Sequence, residues 1–478
     1  MLFNSFEYLL FLPLVFLLYW FVFNRNLRLQ NLFILIASYV FYGWWDWRFL
    51  VLIFFTSFCS YAFGLLIFNA ESGRKRYAYS AVNIIINICI LGYFKYYNFF
   101  VDSFIQAMDA IGVNVNARSL YIILPIGISF YTFQALSYSI DIYNRKIKPS
   151  NDIIAFFAYV SFFPQLVAGP IERATRLLPQ FLKARTFDYS KAVDGMRQIL
   201  WGLFKKVVIA DNCATYVDYI FNNHDTLPAS TLLIGAIYFA FQIYGDFSGY
   251  SDIAIGTGRL FGISLMRNFN YPYFSRDIAE FWRRWHISLT TWFRDYIYIP
   301  LGGSRVSQKL VIRNVFIVFL VSGFWHGANW TFIIWGLLNA LFFLPLILLN
   351  RNRRNINTVA EGKVLPNLKE LGQMILTFAI TTIAWIFFRA DNIPQAFAYI
   401  DNLFSVSIVY QPTHNGLKTV LPFVALMLLA EWFQRNKEHG LEISFIKIKF
   451  VRRLIYLSLI VIIFIFGGAQ QNFIYFQF

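Results

Sequence analysis

Apolar runs of about 20 residues, the length needed to cross a bilayer as a helix, recur along the whole of this chain. They lie near 7–23, 30–45, 49–69, 79–100, 119–143, 195–221, 230–247, 311–325, 329–349, 371–388, 418–434 and 454–470. Lipid offers no hydrogen-bond partner to a bare peptide group, so such a chain spans only as helices that satisfy their own backbone. The expectation is an all-α polytopic membrane protein with about 11–13 transmembrane helices. Only 14% of residues are charged, against roughly a quarter in a soluble domain. The first run, 8–23, reads as a retained span rather than a cleaved leader.

Lys and Arg exceed Asp and Glu by 41 to 25, a formal charge of +16. The excess is sorted by position, which argues against nucleic acid as its cause. NRNLR (24–28), ESGRKR (71–76), NRKIK (144–148), RNRR (351–354) and the stretch 435–453 alternate with the less basic loops 43–48, 101–118, 222–229 and 390–416. Positive-inside sorting places the basic set in the cytoplasm. Both termini are then extracytoplasmic, at the cell (inner) membrane, and an even number of spans is required. The three cysteines, Cys59, Cys89 and Cys213, share no paired spacing, so neither a disulfide framework nor a thiolate metal site is expected.

Two regions do not fit plain spans. In 153–171, IIAFFAYVSFFPQLVAGPI, Pro164, Gly169 and Pro170 interrupt an apolar run between two basic loops. A segment that returns to the face it left is re-entrant or interfacial, and must be shielded by protein. The stretch 251–309 mixes Arg259, Arg267, Arg276, Arg283, Arg284, Arg294 and Arg305 with many aromatics. That mixture suits short interfacial and re-entrant helices at the headgroup layer.

Of five histidines, His224, His414 and His439 lie in polar loops, where a surface role is the default. His286 lies in FWRRWHISLTTWFRDYIYIP and His326 in SGFWHGANW, each among apolar residues. A buried histidine is either packing glue between helices or a functional group. Burial disfavours the charged imidazolium, and a neutral imidazole is what a general base needs. Gly327 permits close approach of another chain or a substrate, and Trp325 is placed to exclude water. QIYGDFSGYSD brings Asp246 and Asp252 to a span end, either as acid–base carboxylates or as salt-bridge partners of the nearby arginines. A transporter with a histidine proton relay is the rival of another class. It calls for repeated halves, and no internal repeat is visible.

Together, WRRWHISLTTWFRDYIYIPLGG, SGFWHGANWTFIIWG, GDFSGYSDIAIG, FPQLVAGPIERA and the N-terminal MLFNSFEYLLFLPLVFLLYW resemble the membrane-bound O-acyltransferases. The branch that contains the membrane subunit of alginate O-acetyltransferase is the nearest in pattern. The resemblance implies a single domain, 1–478, with N-terminal helices (1–150), a catalytic core with re-entrant segments (151–350) and C-terminal helices with an outward tail (351–478). It implies a ring of tilted helices around a central funnel and tunnel. It assigns His326 as the catalytic base and puts His286 at the second polar position, as a hydrogen-bond donor to the charge developing on the carbonyl oxygen. Trp325, Trp285, Gly327, Asn329, Asp246, Ser248, Asp252, Arg294 and Asp295 are expected to line the substrate path. The donor is an acyl thioester, acetyl-CoA, as a substrate, with no permanently bound cofactor. The arginines of 259–305 would attract its phosphates or bind lipid headgroups.

The C-terminal QNFIYFQF carries Phe473, Tyr475 and Phe478 in an F-x-Y-x-x-F arrangement. It resembles a C-terminal motif of this branch in which the tyrosine carries the acyl group. An aromatic membrane anchor is the alternative. The partners so implied are an extracellular transferase of the SGNH-hydrolase type, a polysaccharide acceptor such as alginate, and membrane lipid. Peptidoglycan O-acetylation, D-alanyl transfer to teichoic acid and lipid acylation remain alternatives.

Overall fold

The structure is a computed structural model that describes residues 1–115, 119–412 and 417–476. Every regular element among them is helical. Among the described residues, five helices are long and apolar enough to cross a membrane: Phe49–Asn69, Gly73–Ala110, Gln308–His326, Trp330–Leu348 and Leu368–Arg389. Most of the other anticipated spans are also helical, and some carry charges within them, such as Lys205, Lys206, Asp246 and Glu431. The chain is an integral membrane protein. The anticipated span 119–143 is helical only from Ile128. Gly127, with φ +75°, turns the chain into that helix.

The described residues form two compact units. The first comprises 1–192 and 257–265. In it, α1 (Phe6–Leu17), α2 (Leu27–Gly43), α3 (Phe49–Asn69), α4 (Gly73–Leu91), α5 (Tyr97–Ala110) and α6 (Ile128–Tyr143) precede the irregular region 153–171. That region is broken as its prolines and glycine require: α7 (Ile153–Ser161) stops, Phe162 leaves helical geometry, and α8 (Phe163–Leu166) is one turn long. Nearly all of it is buried. The backbone groups freed by the break find side chains. Phe163 N donates to Ser38 Oγ at 3.1 Å, and the Tyr159 carbonyl accepts from Gln134 Nε2 at 3.0 Å and Gln165 Nε2 at 2.9 Å. Protein here supplies the partners that lipid lacks. The short α9 (Ala174–Phe181) follows.

The second unit comprises 193–256 and 266–478. Here α10 (Tyr189–Leu203) runs through a π-helical stretch, Phe204–Ala210, into α11 (Asp211–Asn222). The long α12 spans Ala229–Leu260. Its helix continues through 251–260, where interfacial structure was expected. Glycines seven apart on both helices explain how α10 meets α12. A Cβ at Gly249 would come within 2.7 Å of the Gly202 carbonyl, and one at Gly256 would strike the Gly195 carbonyl. Small residues let helix backbones approach where lipid supplies no hydrophobic drive.

Beyond α12, two short helices, α13 (Ile278–Arg284) and α14 (Ile287–Phe293), precede α15 (Gln308–His326), α16 (Trp330–Leu348), α17 (Leu368–Arg389), α18 (Ile393–Leu403), α19 (Leu417–Phe433) and α20 (Lys449–Phe466). A Cβ at Gly323 would strike the Phe332 carbonyl and one at Gly336 the Phe319 carbonyl, so these two glycines let α15 and α16 cross closely. The arginines near α13 serve the fold. Arg276 and Arg284 both pair with the buried Glu280. Arg283 donates to the carbonyls of Asn352 and Asn355, and Arg435 to those of Val359 and Ala360. Arg283 and Arg435 thereby hold loop 352–363 from two sides.

Candidate active site

The stretch SGFWHGANW is a helix end, a turn and a helix start. His326 is the last residue of α15, and Gly327 follows with extended backbone, φ −158°. A side chain at Gly327 would land on the Phe332 ring, so the close approach expected there is made by this chain's own phenylalanine. Asn329 caps α16, accepting from Thr331 N at 3.0 Å and donating to the Asp391 carbonyl at 2.8 Å. It is the capping residue of α16.

The His326 ring, 3% exposed, sits in an aromatic box. Ring centroids lie at 4.9 Å for Trp325, 5.0 Å for Trp335, 5.4 Å for Phe388 and 5.6 Å for Tyr475. The His286 ring lies 6.5 Å from that of His326 and 6.1 Å from that of Trp325. At 6.5 Å the two imidazoles are too far apart for a direct hydrogen bond and close enough to act on one group between them. His286 stands between α13 and α14 with φ +44° and ψ 54°, a left-handed conformation that costs a non-glycine residue roughly 1–2 kcal/mol. Phe247 from α12 meets the His286 ring edge-on at 4.6 Å and the Tyr475 ring at 4.6 Å.

Tyr475 reaches the box because an ionic clamp holds the tail. Asp246 accepts from Ile474 N at 2.7 Å. Lys206 pairs with Asp246 at 2.7 Å and with Asp211 at 2.8 Å, and donates to the Gln471 carbonyl at 3.2 Å. Gly468 N bonds the Val207 carbonyl at 3.1 Å. The Tyr475 hydroxyl is buried with no hydrogen-bond partner among the described residues. A buried hydroxyl left so is costly and marks a place where a ligand atom is wanted. Phe473 stacks beside Tyr475 at 5.5 Å; Phe478 lies outside the described residues.

The neighbouring lysine serves a second network. Lys205 pairs with Asp252 at 2.7 Å and donates to Ser248 Oγ at 2.9 Å. Gln198 donates to Asp252 at 2.8 Å, and Tyr244 to the buried Glu431 at 2.8 Å. Asp246 and Asp252 are thus salt-bridged, but to lysines of the π-helical stretch, where arginines were expected. Two ionisable residues inside an apolar run were a legible signal that the sequence reading passed over.

Other expected residues lie elsewhere. Trp285 packs on Phe269 at 5.0 Å and on Trp385 at 5.0 Å. Trp385 in turn stacks on Trp335, the neighbour of His326. Arg294 is 58% exposed and pairs with Asp295 at 2.7 Å. His439, expected at the surface, is 1% exposed and bonds Asp194 at 3.2 Å. His224 bonds the Phe221 carbonyl, and His414 lies outside the described residues. Among the described residues no group of three or more His, Cys, Asp or Glu forms a metal site. Sequence reasoning missed Phe247, Trp335, Phe388 and Asn268, since nothing in a linear pattern separates them from other core residues.

Comparison with known proteins shows the family. The model of the membrane-bound O-acyltransferase family matches residues 39–387. The chain is 42% identical over 438 residues to the probable alginate O-acetylase AlgI of Pseudomonas aeruginosa, covering 90% of this chain and 81% of that protein. It is 33% identical over 524 residues to the peptidoglycan O-acetyltransferase of Helicobacter pylori, covering 98% and 95%. To the teichoic acid D-alanyltransferase of Bacillus subtilis it is 31% identical over 231 residues, covering 45% and 57%. With its W-H-G turn set in a closed aromatic box and the family's pattern along most of its length, the chain belongs to the membrane-bound O-acyltransferase family and is an O-acyltransferase.

Proposed function

We propose that this enzyme takes an acetyl group from a cytoplasmic thioester, acetyl-CoA, and delivers it for O-acetylation of a polysaccharide outside the cell (inner) membrane. His326 is the general base. The first acceptor is the Tyr475 phenol: its oxygen attacks the thioester carbonyl, the C–S bond breaks, and the phenol proton passes through His326 to the departing thiolate. The charges balance, and no further reactant is needed. An SGNH-type partner then moves acetyl from the tyrosine ester to a sugar hydroxyl. The observation that carries this reading is that the Tyr475 ring lies 5.6 Å from the His326 ring, centroid to centroid, with its hydroxyl buried. The sorting of basic loops supports a cytoplasmic donor side and extracytoplasmic termini.

Alginate is the first acceptor to consider, by likeness to the alginate O-acetylases. Peptidoglycan is the second, because the likeness to the peptidoglycan enzyme runs almost end to end. Partial coverage makes D-alanyl transfer the weaker case. The test is reconstitution in sealed vesicles. Acetyl-CoA supplied to the basic-loop face should release free thiol when the partner and an acceptor polysaccharide occupy the other face. Thiol release only with donor on the opposite face would refute the proposed direction.

A further inference from the structure

Asn268 is 0% exposed, and its polar atoms are committed around His286. Its Oδ1 accepts from Ser288 N at 3.3 Å and from Ser288 Oγ at 2.8 Å, and its Nδ2 donates to Ser251 Oγ at 3.2 Å. A backbone N–H only donates, so the bond from Ser288 N fixes which end of the amide is oxygen. That oxygen lies 3.1 Å from His286 Nδ1. Two lone pairs facing at this distance would repel, so Nδ1 carries the proton. The Ser288 hydroxyl, 3.4 Å from Nδ1, spends its own hydrogen on Asn268 and is left to accept. In the neutral ring the other nitrogen, Nε2, then bears a lone pair.

The backbone supports the same arrangement. Ile287 N donates to the Asn268 carbonyl at 2.9 Å and Asn270 N to the Arg284 carbonyl at 2.9 Å. These bonds hold the left-handed turn at His286 against its intrinsic cost, as strained positions at functional sites require. The His326 ring lies 6.5 Å from that of His286. Behind Asn268 is a cavity of about 10 Å³, lined by Lys205, Asp252, Arg267 and Glu431 among others. It has room for one water; Glu438 and His439 line it as well, so three carboxylates face Lys205 and Arg267 there.

We infer that Asn268 is a positioning residue that holds His286 as the Nδ1–H tautomer, so that His286 turns an acceptor nitrogen, Nε2, rather than an N–H toward the reacting groups, while the proton of the reacting hydroxyl goes to His326. This replaces the expectation that a neutral His286 donates to the carbonyl oxygen, because its single N–H is already engaged. The role in transfer rests on the proposed function; the tautomer does not.

The test is solid-state NMR of the full chain, labelled with 15N-histidine in bilayers at neutral pH. The His286 signal is assigned by its loss in His286→Asn. The expected result is protonated Nδ1 and bare Nε2. Asn268→Leu should lose that preference and lower transfer roughly 10–100-fold, by analogy with the loss seen when the partner orienting a metal-ligating histidine is removed. The KM for acetyl-CoA should stay within about twofold, as a loss confined to the chemical step requires. Asn268→Asp keeps the acceptor, so the tautomer should persist. Its added charge favours imidazolium, moving the acidic limb of the rate profile to higher pH. Nε2–H in the unmodified protein, or an unaltered His286 spectrum in Asn268→Leu together with an unmoved pH profile in Asn268→Asp, would overturn the inference. The expected spectrum in a protein that transfers no acetyl would contradict the functional reading and leave the tautomer standing.

Discussion

Asp246 binds the chain's C-terminal segment directly: its carboxylate takes the Ile474 N–H at 2.7 Å while paired with Lys206 at 2.7 Å. The next residue is Tyr475. One carboxylate therefore sets where that phenol stands, without touching it through any hydrogen bond described.

Asp246→Ala strands the buried Lys206 ammonium with Asp211 as its remaining carboxylate and frees the tail. Breaking a buried pair in this way costs about 3–5 kcal/mol. Asp246→Asn keeps the shape and should lose less. Thermal unfolding in detergent and protease cleavage within 467–476 check both effects. The tail should be cut faster in both variants, and most in Asp246→Ala. A tail as protected as in the parent would show that the clamp does not hold it.

Gly327→Ala should damage activity through a steric clash, since the extended backbone at Gly327, φ −158°, accepts alanine without strain. The added methyl lands on the Phe332 ring, and overpacking of this kind typically costs 1–3 kcal/mol. Gly327→Ala combined with Phe332→Leu should recover stability and transfer. Failure of the double variant would mean that Gly327 is needed for something other than space.

Gly323→Val should separate α15 from α16 and move His326 with them, because its Cβ meets the Phe332 carbonyl. A backbone carbonyl has little freedom to yield, so a loss of at least about 2 kcal/mol is expected from overpacking, with thermal unfolding as the measurement. Gly73→Ala, where a Cβ meets nothing within 4 Å, is the control and should be silent.

Much of this was readable from the chain. Recurrent apolar runs fixed the helical membrane class, and the prolines of 153–171 marked the broken segment. His286 and His326 stood out as polar residues in apolar surroundings. What was not readable depends on the third dimension. Trp335 and Phe388 look like any aromatics of apolar helices until α16 and α17 fold them over His326. The lysine partners of Asp246 and Asp252 were obscured because arginine is abundant nearby in sequence, whereas the π-helical stretch Phe204–Ala210 brings Lys205 and Lys206 to them instead. His439 lies in a polar stretch yet is buried against Asp194.

Mass spectrometry of the C-terminal peptide after incubation with acetyl-CoA, without partner or polysaccharide, addresses the central step. Acetyl should appear on Tyr475 in the parent protein and be absent from Tyr475→Phe. In His326→Ala it should form about 10²–10⁴-fold more slowly, the usual loss when a general base is removed. An unacetylated Tyr475 in a preparation that still acetylates polysaccharide, or full-rate acetylation in His326→Ala, would contradict the account.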